Sequence, residues 1–149
     1  MVRLATENDA PDVARLMIGF RDWWGREQPS DARFEAGVRR LLADPNTEFL
    51  IGGEPPAGVC QLRYRYGLWH DGEDCCLEDL FVEDEARGSG LGRALVEAAV
   101  KRARERGCAR IELDVNEANP AALALYESLG FEGWSDPPGG RNLFMRRRL

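Results

Sequence analysis

CCLEDLFV at residues 75–82 and RGSGLG at residues 87–92, followed by RALVEAAVKRARERG at 93–107, decide how this chain is read. The first stretch is short and apolar, as a buried strand is, and strict alternation puts Glu78, Leu80 and Val82 on one face and Leu77, Asp79 and Phe81 on the other. In the last stretch Leu91, Ala94, Leu95, Ala98 and Ala99 fall on one helical stripe, with Arg93, Glu97, Lys101 and Glu105 outside it. That spacing predicts a helix from about Ser89 to Arg106, stopped by Gly107. Between strand and helix stand three glycines. They allow close backbone approach, and the unsatisfied amides of a helix N-terminus favour an anion, so a pyrophosphate is the natural guest. A Mg-nucleotide loop needs a Lys and Ser/Thr that are missing, and a GxGxxG loop needs glycine at position 93, where Arg93 stands.

Working outward, Val2–Ala5 predicts a short strand, and Thr6 with Asp9 a capping box before a helix carrying Val13, Leu16, Met17 and Phe20 to about Trp24. A second helix is predicted over Asp31–Leu42, ended by Pro45. Thr47–Ile51 and Gly58–Tyr66 read as an antiparallel hairpin around GGEPPA, with a loop over Gly67–Asp74. After the central helix, RIELDV at 110–115 alternates as a strand, and Asn119–Pro120 open a helix that Gly130 closes. Phe131–Trp134 and Asn142–Arg147 are predicted as two last strands around DPPGG.

Composition narrows the function classes. A chain of 149 residues, 44% hydrophobic and 31% charged, suits one soluble domain spanning 1–149. With no apolar run of the roughly 18–20 residues a bilayer requires, and a polar N-terminus, the expectation is a cytoplasmic protein without a membrane partner. The net charge of −6 argues against a nucleic-acid partner. Arg87, Arg93, Lys101, Arg102, Arg104 and Arg106 nonetheless form a local basic set, suited to an anionic ligand and a solvated helix face. Cys60, Cys75, Cys76 and Cys108 lack zinc or redox spacing and read as small buried thiols, so no metal is expected.

Arg87, Gly90 and Gly92, with Gly88 as an additional glycine, match the Q/R-x-x-G-x-G/A acetyl-CoA motif, and here the chain resembles the GNAT superfamily of N-acetyltransferases. NPAALALYESLGF at 119–131 is similar to a second signature of that family, and the order of elements is similar over essentially the whole chain. The resemblance implies an α/β (α+β) GNAT-like fold: a mixed, mostly antiparallel, twisted sheet of six to seven strands with about four helices. It also implies acetyl-CoA as cosubstrate and a homodimer.

On the same resemblance, the backbone of Gly88, Ser89, Gly90, Leu91, Gly92 and Arg93 holds the pyrophosphate, with Arg87 beside it. The backbone of Leu80, Phe81 and Val82 pairs with pantetheine in a gap between the 75–82 and 110–115 strands, and Asn119 touches the CoA arm. An amine with a pKa near about 10 arrives protonated, so attack on a thioester needs a proton acceptor. Glu78 is the candidate, with Asp79 able to join an acidic path only if a bulge turns it. Tyr126 matches the family's general acid. LEDLFV is similar to the spermidine/spermine acetyltransferase branch and favours a polyamine or amino-acid-like primary amine, acetylated by direct attack in a ternary complex. The alternatives are a protein amine as acceptor, or a CoA-binding regulatory domain without turnover. Trp23 and Trp24 read either as the lining of an acceptor pocket or as packing, and His70 as a reserve base on a surface loop.

Overall fold

The computed structural model describes residues 1–133, 135–136, 140–141 and 143–149. The chain divides into two compact units, Met1–Asp114 and Val115–Leu149.

The first unit is built on a five-stranded sheet in the order β1 (Val2–Leu4), β2 (Thr47–Gly52), β3 (Gly58–Gly67), β4 (Gly72–Val82) and β5 (Arg110–Glu112). The first three pairings are antiparallel and β4–β5 is parallel, which makes the sheet mixed and mostly antiparallel. It has five strands, fewer than the six to seven anticipated. The shortfall lies at the C-terminus, where Phe131–Gly133 and Leu143–Arg147 form no strand and Trp134 and Asn142 fall outside the described residues. The pairing that does form there joins Ser135–Asp136 (β6) to Gly140–Arg141 (β7) as a separate two-stranded ribbon.

Helix α2 (Asp31–Leu42) starts where the sequence says it should, whereas the Thr6–Asp9 box caps a short 3-10 turn over Glu7–Asp9 and α1 (Ala10–Trp23) begins only after it. The Thr6 amide donates to Asp9 Oδ2 at 2.7 Å, completing the capping box, and Ser30 accepts the Arg33 amide at 3.4 Å. Val13, Ala14, Leu16 and Met17 from α1 and Val38 from α2 pack with Phe49, Ile51, Val59 and Phe81 of the sheet. The opposite sheet face receives α3 (Leu91–Glu105), whose Leu91 and Leu95 lie so close to Gly52 and Gly58 that a Cβ on either glycine would collide with them.

Charge also ties α3 to the sheet. Arg102 donates twice to Glu48 of β2, at 2.8 and 2.7 Å, the Tyr64 hydroxyl donates to the same carboxylate at 2.9 Å, and Arg106 pairs with Glu73 of β4 at 2.7 Å. Arg102 and Arg106 are therefore clamps between helix and sheet, where the sequence suggested a solvated or ligand-facing basic stripe. Burial pushes the Glu48 carboxyl up, but the hydrogen bonds from Arg102 and Tyr64 outweigh it and hold it below its ordinary range.

Two further boundaries moved. β4 begins at Gly72, inside the segment expected to be loop, because Gly67–Tyr66–Arg65 of β3 pair with Gly72–Glu73–Asp74. β5 ends at Glu112, three residues short of the expected Val115.

The second unit holds α4 (Pro120–Ser128), capped by the Asn119 side chain, which accepts the Ala122 amide at 3.2 Å. Tyr126 is buried on it, edge-on to Phe131 at 5.8 Å.

Candidate active site

The β4 strand carries one extra residue. Asp79 stands opposite Gln61 and Leu77 opposite Leu62, so Glu78 has no partner on β3 and forms a bulge. Its consequence is a change of faces. Leu77 turns with Cys75 towards α3, whereas Asp79 turns with Phe81 towards α1 and α2, opposite Gln61 and Val59. The alternation expected from the sequence, with Leu77, Asp79 and Phe81 together, is thus broken at Glu78. Two adjacent carboxylates result: Glu78 is exposed, accepting from the Cys76 thiol at 3.6 Å, and Asp79 is partly buried. Burial, then the charges of Glu78 and Asp114, raise the Asp79 carboxyl from 3.8 to about 6. An acid poised there exchanges a proton near neutral pH. The sequence signal for it was the ED pair in LEDLFV; its altered environment was not readable without the bulge.

The bulge falls where β4 loses its second neighbour. Pairing with β5 covers only Asp74–Cys76, so from Leu77 to Val82 the β5 side of β4 has no strand beside it in the described sheet. That bare edge leads through Asp84–Ala86 into the glycine turn. Gly88 and Gly90 adopt left-handed φ of +76° and +86°, and a Cβ on either would meet nothing within 4 Å, so backbone conformation rather than crowding calls for glycine. Gly90 is the N-cap of α3 and no side chain caps the first turn; the Ser89 hydroxyl donates instead to Ala86 O at 2.6 Å. A first turn without a side-chain cap is what an anion cradle requires.

Arg87, expected beside the pyrophosphate, makes contacts of its own within the protein. Its Nε donates to Val82 O at 3.1 Å, its guanidinium pairs with Asp84 at 2.7 Å, and it lies over the rings of Trp23 and Phe81 at 5.5 and 5.9 Å. Arg93 pairs with Glu97 at 3.7 Å. Trp23 and Trp24 are each about half exposed, and Phe20 stacks on Phe81 at 5.4 Å. Trp23 and Phe81, with Gly19 and the acidic run Glu83, Asp84 and Glu85, line a cavity of about 240 Å³. Trp23 therefore lines a pocket, whereas Trp24 packs against Phe20 and Trp23; the acidic run was not singled out in the sequence.

The remaining candidates separate. His70 lies before β4 begins, with Nε2 3.1 Å from Asp74 Oδ2, an oxygen that also accepts from Arg110 at 3.2 Å. It is tied into that end of the strand and away from the 77–82 edge. Glu78, Leu80–Val82 and Arg87–Arg93 all belong to the first unit, and Asn119 and Tyr126 to the second. Burial raises the thiols of Cys60, Cys75, to about 12, and Cys76, to about 11, leaving them protonated and poor nucleophiles. Among the described residues no group of three or more His, Cys, Asp or Glu is arranged to hold a metal, and no helix is long and apolar enough to cross a membrane.

Residues 13–131 match the model of the Acetyltransferase (GNAT) family, and the chain belongs to that family of acyltransferases, which use acetyl-CoA as acyl donor. Particular relatives are informative. The chain is 33% identical to the thialysine N-epsilon-acetyltransferase of Sus scrofa over 90% of its length and 88% of the relative's. It is 28% identical to the enzyme of the same name from Bos taurus, covering 93% of this chain and 88% of that one. A crystal structure of a candidate acetyltransferase from Arthrobacter sp. FB24 superposes with a TM-score of 0.89 at 32% identity, covering 100% of this chain and 96% of the other.

Proposed function

We propose that this chain transfers the acetyl group of acetyl-CoA to a primary amine of a small molecule, polyamine-like or amino-acid-like, by direct attack with donor and acceptor bound together. The observation that carries the proposal is the Glu78 bulge, which sets two carboxylates on β4 where pairing with β5 stops and the bare edge towards the glycine turn begins. The names of the porcine and bovine relatives support an amino-acid-like amine as acceptor. The family match spans 13–131 and so includes residues of both compact units, which supports reading 1–149 as one catalytic domain.

Bound acetyl-CoA would supply an activated acetyl thioester. The residues suited to hold it are the amides of Gly88 to Arg93, the backbone of Leu80, Phe81 and Val82, and Asn119. Glu78 and Asp79 accept the ammonium proton of the acceptor, freeing its lone pair, and an ionised carboxylate pair also attracts that cation before the proton moves. Tyr126 protonates the departing thiolate. The high thiol pKa values favour direct attack over an acylated cysteine.

The test is release of CoA thiol across a panel of diamines, amino acids, aminoglycosides and peptides, with wild type, Glu78→Gln and Tyr126→Phe. Turnover with a small primary amine, lost or cut at least about 100-fold in both variants, is expected for an acid–base pair. Unchanged rates in the variants would remove the assigned roles, and acetyl-CoA binding without any turnover would replace the enzyme by a regulatory domain.

A further inference from the structure

We infer that the Arg87 guanidinium is a built-in occupant of a cation subsite, and that donor phosphate draws it out and opens that subsite to the acceptor. The inference rests on the acetyl-CoA reading above. The cavity of about 240 Å³ offers the faces of Trp23 and Phe81 and the carboxylates Asp84 and Glu85, with Glu83 beside them paired to Arg15. Two aromatic faces beside carboxylates suit an organic cation and disfavour an anion. An organic cation already covers one side of it: beside the open cavity the Arg87 guanidinium lies over both rings and pairs with Asp84.

The same side chain has a second claim on it. Arg87 directly precedes the glycine turn, and its side chain is 43% exposed, so turning outward costs it one hydrogen bond to Val82 O, the Asp84 pair and the two ring contacts. A phosphate on the amides of that turn offers a guanidinium a bidentate, charge-assisted partner, stronger than an exposed aspartate and two ring faces. Asp84 is 73% exposed and gives up its partner at little cost. One guanidinium cannot satisfy both places. When it leaves, Trp23, Phe81 and Asp84 become free to receive the acceptor.

Distance along β4 sets what that acceptor carries. Asp79 and Phe81 share a sheet face two residues apart, about 7 Å at strand rise. An amine at Asp79 therefore puts a second cationic group, roughly that far along the acceptor, onto the rings Arg87 has vacated. Donor and dicationic acceptor then bind with positive coupling, and linkage makes the effect reciprocal.

Titration calorimetry of agmatine, which joins a primary amine to a guanidinium, tests this with CoA in place of acetyl-CoA so that nothing turns over. For the wild type, agmatine is expected to bind at least about 10-fold more tightly with saturating CoA than without, within the usual range of coupling. Arg87→Met is expected to bind agmatine as tightly without CoA as the wild type does with it, and to lose the coupling. Asp84→Asn, which loosens the anchor and leaves the turn intact, is expected to reduce the coupling. CoA binding should also shift tryptophan emission, and Trp23→Phe should abolish that shift. CoA that binds while agmatine affinity stays the same, agmatine that binds in neither state, or coupling that survives in Arg87→Met overturns the inference and leaves the acetyl-CoA reading standing. Failure of CoA to bind the wild type at all overturns that reading and this inference with it.

Discussion

Replacing Asp79 by Asn should make the protein more stable, and more so as pH rises. The folded protein holds this carboxyl at about 6 against an ordinary 3.8, so the folded state binds its proton more tightly than the unfolded one. The stability that proton contributes is complete below the unfolded value and is lost as pH climbs through the folded one. Expressed as a penalty on ionised Asp79, linkage gives well under about 1 kcal/mol at pH 4, about 2 at pH 5 and about 3 at pH 8. An isosteric amide carries no such penalty. Urea unfolding of wild type and Asp79→Asn at pH 4, 5 and 8 should therefore show an advantage for the variant that widens by about 2 kcal/mol across the range. The same substitution removes a proton acceptor. The wild type's kcat/KM should carry an ionisation near 6 on its acidic limb, and the variant should lose that limb and fall by about 100-fold or more. A stability difference that stays flat with pH, or an acidic limb that survives in the variant, would refute the argument that burial and neighbouring charge have tuned Asp79.

Three other outcomes follow from the geometry. Gly88→Ala and Gly90→Ala should each cost about 1–2 kcal/mol, since both residues are left-handed with open space around the added Cβ, while weakening CoA binding by well over about 10-fold, as calorimetry would measure. Glu48→Gln should lower stability by about 2 kcal/mol in thermal or urea unfolding, because Arg102 and Tyr64 both donate to a carboxylate that is only 16% exposed. Cys75 and Cys76, with thiol pKa values raised to about 12 and about 11, should react with iodoacetamide at pH 7.5 far more slowly than a free thiol, and Cys75→Ala with Cys76→Ala should retain turnover.

What the sequence revealed and what it hid divide along one physical line. Periodicity, caps and glycine stops are local, and they located α2 over Asp31–Leu42, the Thr6–Asp9 box, the β2–β3 hairpin and the Asn119 cap. The glycine turn was equally legible, because left-handed φ at Gly88 and Gly90 is a requirement that one residue type meets. Register and pairing are not local. The bulge at Glu78 arises from how β4 lies on β3, and no pattern within CCLEDLFV distinguishes it from regular alternation. The early end of β5 is a failure of the same kind, since alternation in RIELDV says what a strand would bury, not where its neighbour stops. Charge partners were hidden likewise: Arg102 and Arg106 read as a solvated stripe until Glu48 and Glu73 stood opposite them. The contact of Arg87 with Trp23, 64 positions away, was equally beyond any local pattern.

The central claim is acetyl transfer onto a small primary amine, and mass spectrometry of the products measures it most directly. The purified chain is incubated with acetyl-CoA and an equimolar panel of lysine, thialysine, putrescine, spermidine, an aminoglycoside and a lysine-containing peptide. The account predicts a gain of one acetyl group on at least one of the small amines, matched mole for mole by free CoA. Acetylation of the peptide alone, or acetyl-CoA bound and left intact with every amine unmodified, would contradict it.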